Sequence, residues 1–294
     1  MKVSDRANKY QKRIKIARIG SAQGGDVRNP PFIVGLKVKA AGPLNRRMIE
    51  VVIQKYVRSD PRVPPIAIGK GVDLHHAMMK SCSGFQGCPR GTIVILTTWN
   101  GLSDFEMDRA QMLADMGFSS FVADLYPIGQ QPMTMEAKQA ALKAHLGDQD
   151  RMQAIVSAAI SQARDDNDEP LFVMGYSMGA ITAMEVAWSG LGNEIGVDGY
   201  VIFSGRVSDA HGRIMPDAVA PFFVAHGEAD TQVQVSGLEN FVDDVELAGS
   251  TVTAHTYPGA GHLFSAFGFP NYNADDDADS WAELTNFLEG RVGS

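Results

Sequence analysis

From residue 92 onward, short apolar runs alternate with segments whose apolar residues recur at helical spacing. The runs predict strands at 92–97, 119–124, 170–175, 197–204, 221–226 and 251–257. Between and after them, the periodicity predicts helices at 104–116, 135–145, 149–164, 178–188, 237–247 and 279–288. The runs at 171–174 and 222–225 are almost wholly apolar, as expected of strands covered on both faces by helices. The order therefore predicts a doubly wound α/β architecture with a mostly parallel sheet. No internal repeat interrupts it.

Upstream of residue 91 the pattern is weaker. Residues 32–39 and 48–57 alternate with period 2 and predict an antiparallel ribbon, while 61–65 and 81–91 read as loops. Residues 1–30 show no core pattern. The folded domain is accordingly expected from Met48 to residue 294, with residues 1–47 a basic extension.

Composition agrees with a globular chain: 294 residues, 45% hydrophobic and 20% charged. The net charge of -8 conceals a division. Residues 1–91 carry 18 Lys and Arg against 5 Asp and Glu, a net of +13, and residues 92–294 carry 8 against 29, a net of -21. The basic part lacks an aromatic-interleaved nucleic-acid module, so docking on the acidic domain, of its own or a neighbouring subunit, is the simpler expectation. No nucleic-acid or membrane partner is expected, and a homo-oligomer is left open. The longest apolar runs fall far short of the roughly 18 residues of a membrane span, and no apolar stretch follows the basic N-terminus as in a secretory leader. Cys82 and Cys88 match neither a disulfide framework nor a zinc pattern, which favours a reducing compartment, the cytoplasm. His75 and His76 with those cysteines fit no metal class. The run Asp275 to Asp277 with Asp279 reads as a solvated loop and helix cap, not a calcium loop.

The chemistry is concentrated in Gly175-Tyr-Ser177-Met-Gly179, a G-x-S-x-G turn between an apolar strand and a helix. A residue on so sharp a turn is strained, and glycines two positions to either side let strand and helix approach. Ser177 would then stand at the C-terminal edge of the sheet beside a helix N-terminus. A serine nucleophile needs a base, and the base needs an orienting carboxylate. Asp230 follows the strand 221–226, and His262 follows the strand 251–257, so both belong to the same edge. Glu228 competes with Asp230, and His226 is the rival of His262. The backbone N–H groups of Met178 and Trp99 are the expected oxyanion donors.

These residues resemble the dienelactone hydrolase family of α/β-hydrolases. The likeness runs through Thr98-Trp-Asn-Gly-Leu-Ser-Asp-Phe, Ala123-Asp-Leu-Tyr-Pro, Gly175-Tyr-Ser-Met-Gly-Ala, His226-Gly-Glu-Ala-Asp230 and Gly261-His262, over residues 91–290. The resemblance implies an α/β-hydrolase fold and hydrolysis of a small-molecule ester without metal or organic cofactor. Members usually carry cysteine as nucleophile and an acidic residue in the oxyanion loop, where this chain has Ser177 and Thr98. Two arginines bind the substrate carboxylate in dienelactone hydrolases proper, and the matching positions are Ile128 and Ala266. An anionic lactone is therefore not expected, and Tyr126, Leu263 and Phe264 are expected to line an apolar substrate pocket. The expected activity is a serine carboxylic-ester hydrolase acting on small, neutral, short-chain esters through an acyl-enzyme. The alternatives are a dienelactone or other lactone hydrolase and, from another class, a non-catalytic binding module on the same scaffold.

Overall fold

The computed structural model describes residues 33–38, 49–54, 89–127, 130–164 and 169–292. They form one eight-stranded sheet: β1 (Ile33–Val38), β2 (Ile49–Gln54), β3 (Thr92–Leu96), β4 (Ser119–Ala123), β5 (Leu171–Tyr176), β6 (Gly199–Phe203), β7 (Phe222–Gly227) and β8 (Val252–Tyr257), in the order β2-β1-β4-β3-β5-β6-β7-β8. The helices are α1 (Asp104–Asp115), α2 (Met135–Leu146), α3 (Gln149–Ala163), α4 (Met178–Trp188), the short α5 (Leu191–Ile195), α6 (Leu238–Leu247) and α7 (Ala274–Glu289). The six strands from β4 to β8 run parallel, and β1 is antiparallel to both β4 and β2. This is an α/β-hydrolase fold.

Successive strand residues face opposite sides, so each central strand feeds two cores. Val94 and Leu96 pack with Ile155 and Val156 of α3 and Met184 of α4, while Ile93 and Ile95 pack with Leu113 of α1 and Leu284 and Leu288 of α7. Strand β8 closes one edge and is only partly buried. No helix among the described residues is long and apolar enough to cross a membrane.

Three expectations change. The ribbon of β1 and β2 forms, but β1 lies within the segment assigned to an extension and pairs with β4 through Gly35–Val38. The sheet therefore begins by Ile33, not after Met48. The C-terminal helix starts at Ala274, five residues earlier than its periodicity indicates, because Asn273 caps it by accepting from the N–H groups of Asp275 and Asp276. Within that first turn Asp277 is not solvated: it is buried against Arg109 of α1. Cys82, Cys88, His75, His76 and Ile128 lie outside the described residues.

Candidate active site

The turn between β5 and α4 holds Ser177 at φ 52°, ψ −111°, a left-handed conformation that costs about 1–3 kcal/mol outside glycine. Tight packing imposes it. A Cβ on Gly175 would run into the backbone of Gly179 and Ala180, and a Cβ on Gly179 into the carbonyl of Leu96 in β3. The glycine pair thus lets α4 start directly against two strands. The Ser177 N–H donates to the carbonyl of Phe203 at 3.0 Å, which anchors the turn to β6.

His262 and Asp230 converge on this point from the ends of β8 and β7. Ser177 Oγ lies 2.8 Å from His262 Nε2, and His262 Nδ1 lies 2.6 Å from Asp230 Oδ2. The other carboxylate oxygen of Asp230 accepts from the N–H groups of Gln232 and Val233 at 2.9 and 2.8 Å. Burial pushes the Asp230 carboxyl up, but the bond from His262 and these backbone donors outweigh it and hold the group below the usual carboxylate range. The backbone of His262 is itself held in place: its carbonyl accepts from Asn271 Nδ2 at 3.0 Å, and the next N–H, of Leu263, donates to the buried Ser204 Oγ at 3.1 Å.

The two rivals do other work. His226 Nε2 donates to the carbonyl of Val233 at 2.6 Å and lies 3.6 Å from Asp230 Oδ2, so it braces the loop that carries Asp230. Its burial pushes its pKa down, favouring the neutral ring. Glu228 is exposed and accepts from Thr256 Oγ1 at 2.8 Å, and among the described residues it is Asp230, not Glu228, that meets His262.

The loop after β3 brings Trp99 to the site, and neither its N–H nor that of Met178 is engaged in a hydrogen bond among the described residues. Glu106 holds this loop from behind. Its fully buried carboxylate accepts the N–H and hydroxyl of Thr98, both at 3.1 Å, and the N–H and hydroxyl of Ser103. Lys138 of α2 reaches Asn100 Oδ1 at 2.5 Å. Tyr126, expected to line the substrate pocket, instead donates its hydroxyl to the carbonyl of Trp99 at 3.0 Å and takes no part in the cavity wall. Burial pushes that hydroxyl up to about 12, so it stays a donor.

A cavity of about 870 Å³ opens at Ser177 and His262. Leu263 lines it. Phe264 does not: it is wholly buried and packs on Tyr257 at 4.6 Å, because its chain turns inward after Leu263 at φ 60°. Ala266 is likewise core. Helices α2 and α4 add an apolar wall through Leu142, Leu146 and Ile181, and the polar lining includes Arg206 and Ser208. Arg206 and Glu106 escaped the sequence reading. Arg206 was in reach of it, since it stands three residues past β6, at the sheet edge where such sites form. Glu106 had the capping-box signal Ser103-x-x-Glu106, which marks a helix start and carries no hint of the bond to Thr98.

Against known proteins, the model of the dienelactone hydrolase family matches residues 83–291. A Methylorubrum extorquens protein named "Putative carboxymethylenebutenolidase" is 23% identical over 213 residues, 69% of this chain and 73% of that protein. The solved structure of P91, a dienelactone hydrolase-like promiscuous phosphotriesterase from metagenomic libraries, is 25% identical with a TM-score of 0.58, covering 70% of this chain and 88% of its own. A second structure, titled m3DLH, is 23% identical with the same TM-score and covers 71% and 90%. The match spans the whole parallel sheet and every element that contributes to the site, and the chain therefore belongs to the dienelactone hydrolase family, among the carboxylic ester hydrolases.

Proposed function

We propose that the chain is a serine carboxylic-ester hydrolase that works through an acyl-enzyme. The reading rests on one observation above all: an unbroken line of hydrogen bonds from the strained Ser177 through His262 to Asp230. In this mechanism Ser177 Oγ attacks the ester carbonyl while His262 Nε2 takes its proton. Asp230 accepts from Nδ1–H, fixes the tautomer and stabilises the imidazolium. The oxyanion is met by the N–H groups of Trp99 and Met178, which are free for it. The imidazolium then protonates the departing alkoxide, and a water, deprotonated by His262, releases the acid and restores the serine. Opening a lactone would use the same steps, with the alcohol left tethered to the acyl group.

The test uses the full chain with a fluorophosphonate probe and 4-nitrophenyl butyrate. Covalent labelling at Ser177 is expected, with kcat lowered about 10⁴-fold or more in Ser177→Ala. Full hydrolysis by Ser177→Ala would overturn the reading. A chain that neither labels nor turns over any ester would be a binding module.

A further inference from the structure

We propose that Arg206 binds an anionic group on the substrate, making the enzyme selective for amphipathic monoanionic esters larger than short-chain ones. The proposal rests on the serine hydrolase reading above and names the substrate class of that site.

The position of Arg206 follows from close packing. Gly205 passes so near α4 that a Cβ there would meet the side chains of Ala180 and Ile202. The next residue, Arg206, therefore leaves the chain beside the helix that Ser177 begins, and it lines the same cavity as Ser177 and His262.

Its guanidinium is unpaired among the described residues. Of the six arginines in residues 92–294, five donate to an acceptor: Arg109 to Asp277, Arg151 to the Leu125 carbonyl, Arg164 to those of Ile195 and Gly196, Arg213 to Glu185 and Asp209, and Arg291 to that of Phe287. Arg206 has no hydrogen bond or ion pair among the described residues, and its Nε is buried without an acceptor. The two acids that share a second cleft with Arg206 are already taken: Arg213 holds Asp209 at 2.6 Å and Glu185 at 2.7 Å. A permanent positive charge without a counter-ion is costly to leave unmatched, and an incoming carboxylate would supply one, with the guanidinium's fork geometry suited to it. The surrounding domain, at a net of -21, repels anions at long range, so such selectivity has to come from a contact inside the cavity.

Size and lining describe the rest of the ligand. A cavity of about 870 Å³ falls in the range of ~300–1,000 Å³ that holds a drug-sized ligand. Leu142, Leu146 and Ile181 offer an apolar wall within it. The expectation of a neutral short-chain ester rested on Ile128 and Ala266 standing where arginines would be needed. Arg206 supplies a guanidinium from a different loop, the one after β6.

The test compares mono(4-nitrophenyl) adipate and suberate with 4-nitrophenyl hexanoate and octanoate, which match them in acyl length and lack the charge. The wild-type chain is expected to favour the charged ester by roughly tenfold in kcat/KM at one or both lengths, mainly through KM. That preference should weaken with added salt, fall by roughly tenfold in Arg206→Met and persist in part in Arg206→Lys. Fluorophosphonate labelling of Ser177 reports that each variant is folded, with Arg206→Gln as the second variant if Arg206→Met no longer labels. A preference equal in wild type and variant, or a wild-type preference for the neutral ester at both lengths, would overturn the proposal while leaving the serine hydrolase reading intact. Absence of labelling and of turnover of all four esters would overturn both.

Discussion

Glu106 and Thr98 are joined twice, the carboxylate of Glu106 accepting both the N–H and the hydroxyl of Thr98 at 3.1 Å. Trp99 is the next residue, so the direction of its N–H is set by a side chain on α1. The carboxylate is pushed up by burial and drawn down by its four donors, and the net direction is upward. An amide cannot accept at both ends. Glu106→Gln is expected to lower kcat by about 10- to 100-fold with little change in KM, the signature of a misplaced oxyanion donor. Steady-state kinetics with a 4-nitrophenyl ester would check this, and a loss confined to KM would assign Glu106 elsewhere.

Tyr126 gives a sharper separation of roles. Its hydroxyl holds the Trp99 carbonyl at 3.0 Å, and removing it leaves that acceptor unpaired while the ring still fills its place. Tyr126→Phe is expected to reduce kcat about tenfold and leave KM nearly unchanged. A pocket-lining tyrosine would show the reverse.

Arg109 is fully buried with Asp277 as its partner, and its guanidinium lies 4.6 Å from the Trp281 ring centroid and 5.0 Å from that of Phe267. It also donates to the carbonyl of Ser265, three residues past His262. Arg109→Met would leave the Asp277 carboxylate buried and uncompensated, a loss of about 3–5 kcal/mol. Urea unfolding should show that loss, and the double variant Arg109→Met/Asp277→Leu should regain much of it.

This pair also marks where sequence reading stops. The central strands, their succession along the chain and the strand-end positions of Ser177, Asp230 and His262 are legible because each depends on local signals: an apolar run, a glycine pair, a strand end. The bond between Arg109 and Asp277 spans 168 residues, and an Asp run reads as solvated until the helix that buries it is in place. Pairing of β1 with β4 is similarly long-range, so the period-2 pattern of 32–39 does not by itself place that strand in the sheet. Neighbourhood in sequence to site residues does not tell whether Tyr126 or Phe264 faces the cavity. Backbone direction decides that question, and the positive φ of Leu263 turns the chain away from the cavity.

His145 carries the last prediction, a pH dependence of stability. It is buried at the end of α2, with Nε2 2.7 Å from Thr182 Oγ1. That hydroxyl donates to the Met178 carbonyl at 2.9 Å, so the ring must be the donor through Nε2–H, and Nδ1 has no partner among the described residues. Burial, aided by Arg151 and opposed by Asp148, pushes its pKa down to about 4. The unfolded chain binds the proton near the ordinary 6.5, and the folded chain does not until about 4. Above 6.5 the neutral ring is common to both states and its full contribution is present. As pH falls from 6.5 to 4 the unfolded state takes up the proton first, and stability declines by about 1.4 kcal/mol per unit, on the order of 3 kcal/mol in total. Urea unfolding at pH 7.5 and 4.5 should show this acid loss in the wild-type chain and a smaller one in His145→Gln, whose amide can still donate to Thr182 without titrating. An equal loss in both would mean that His145 is protonated, or exposed, in the folded enzyme.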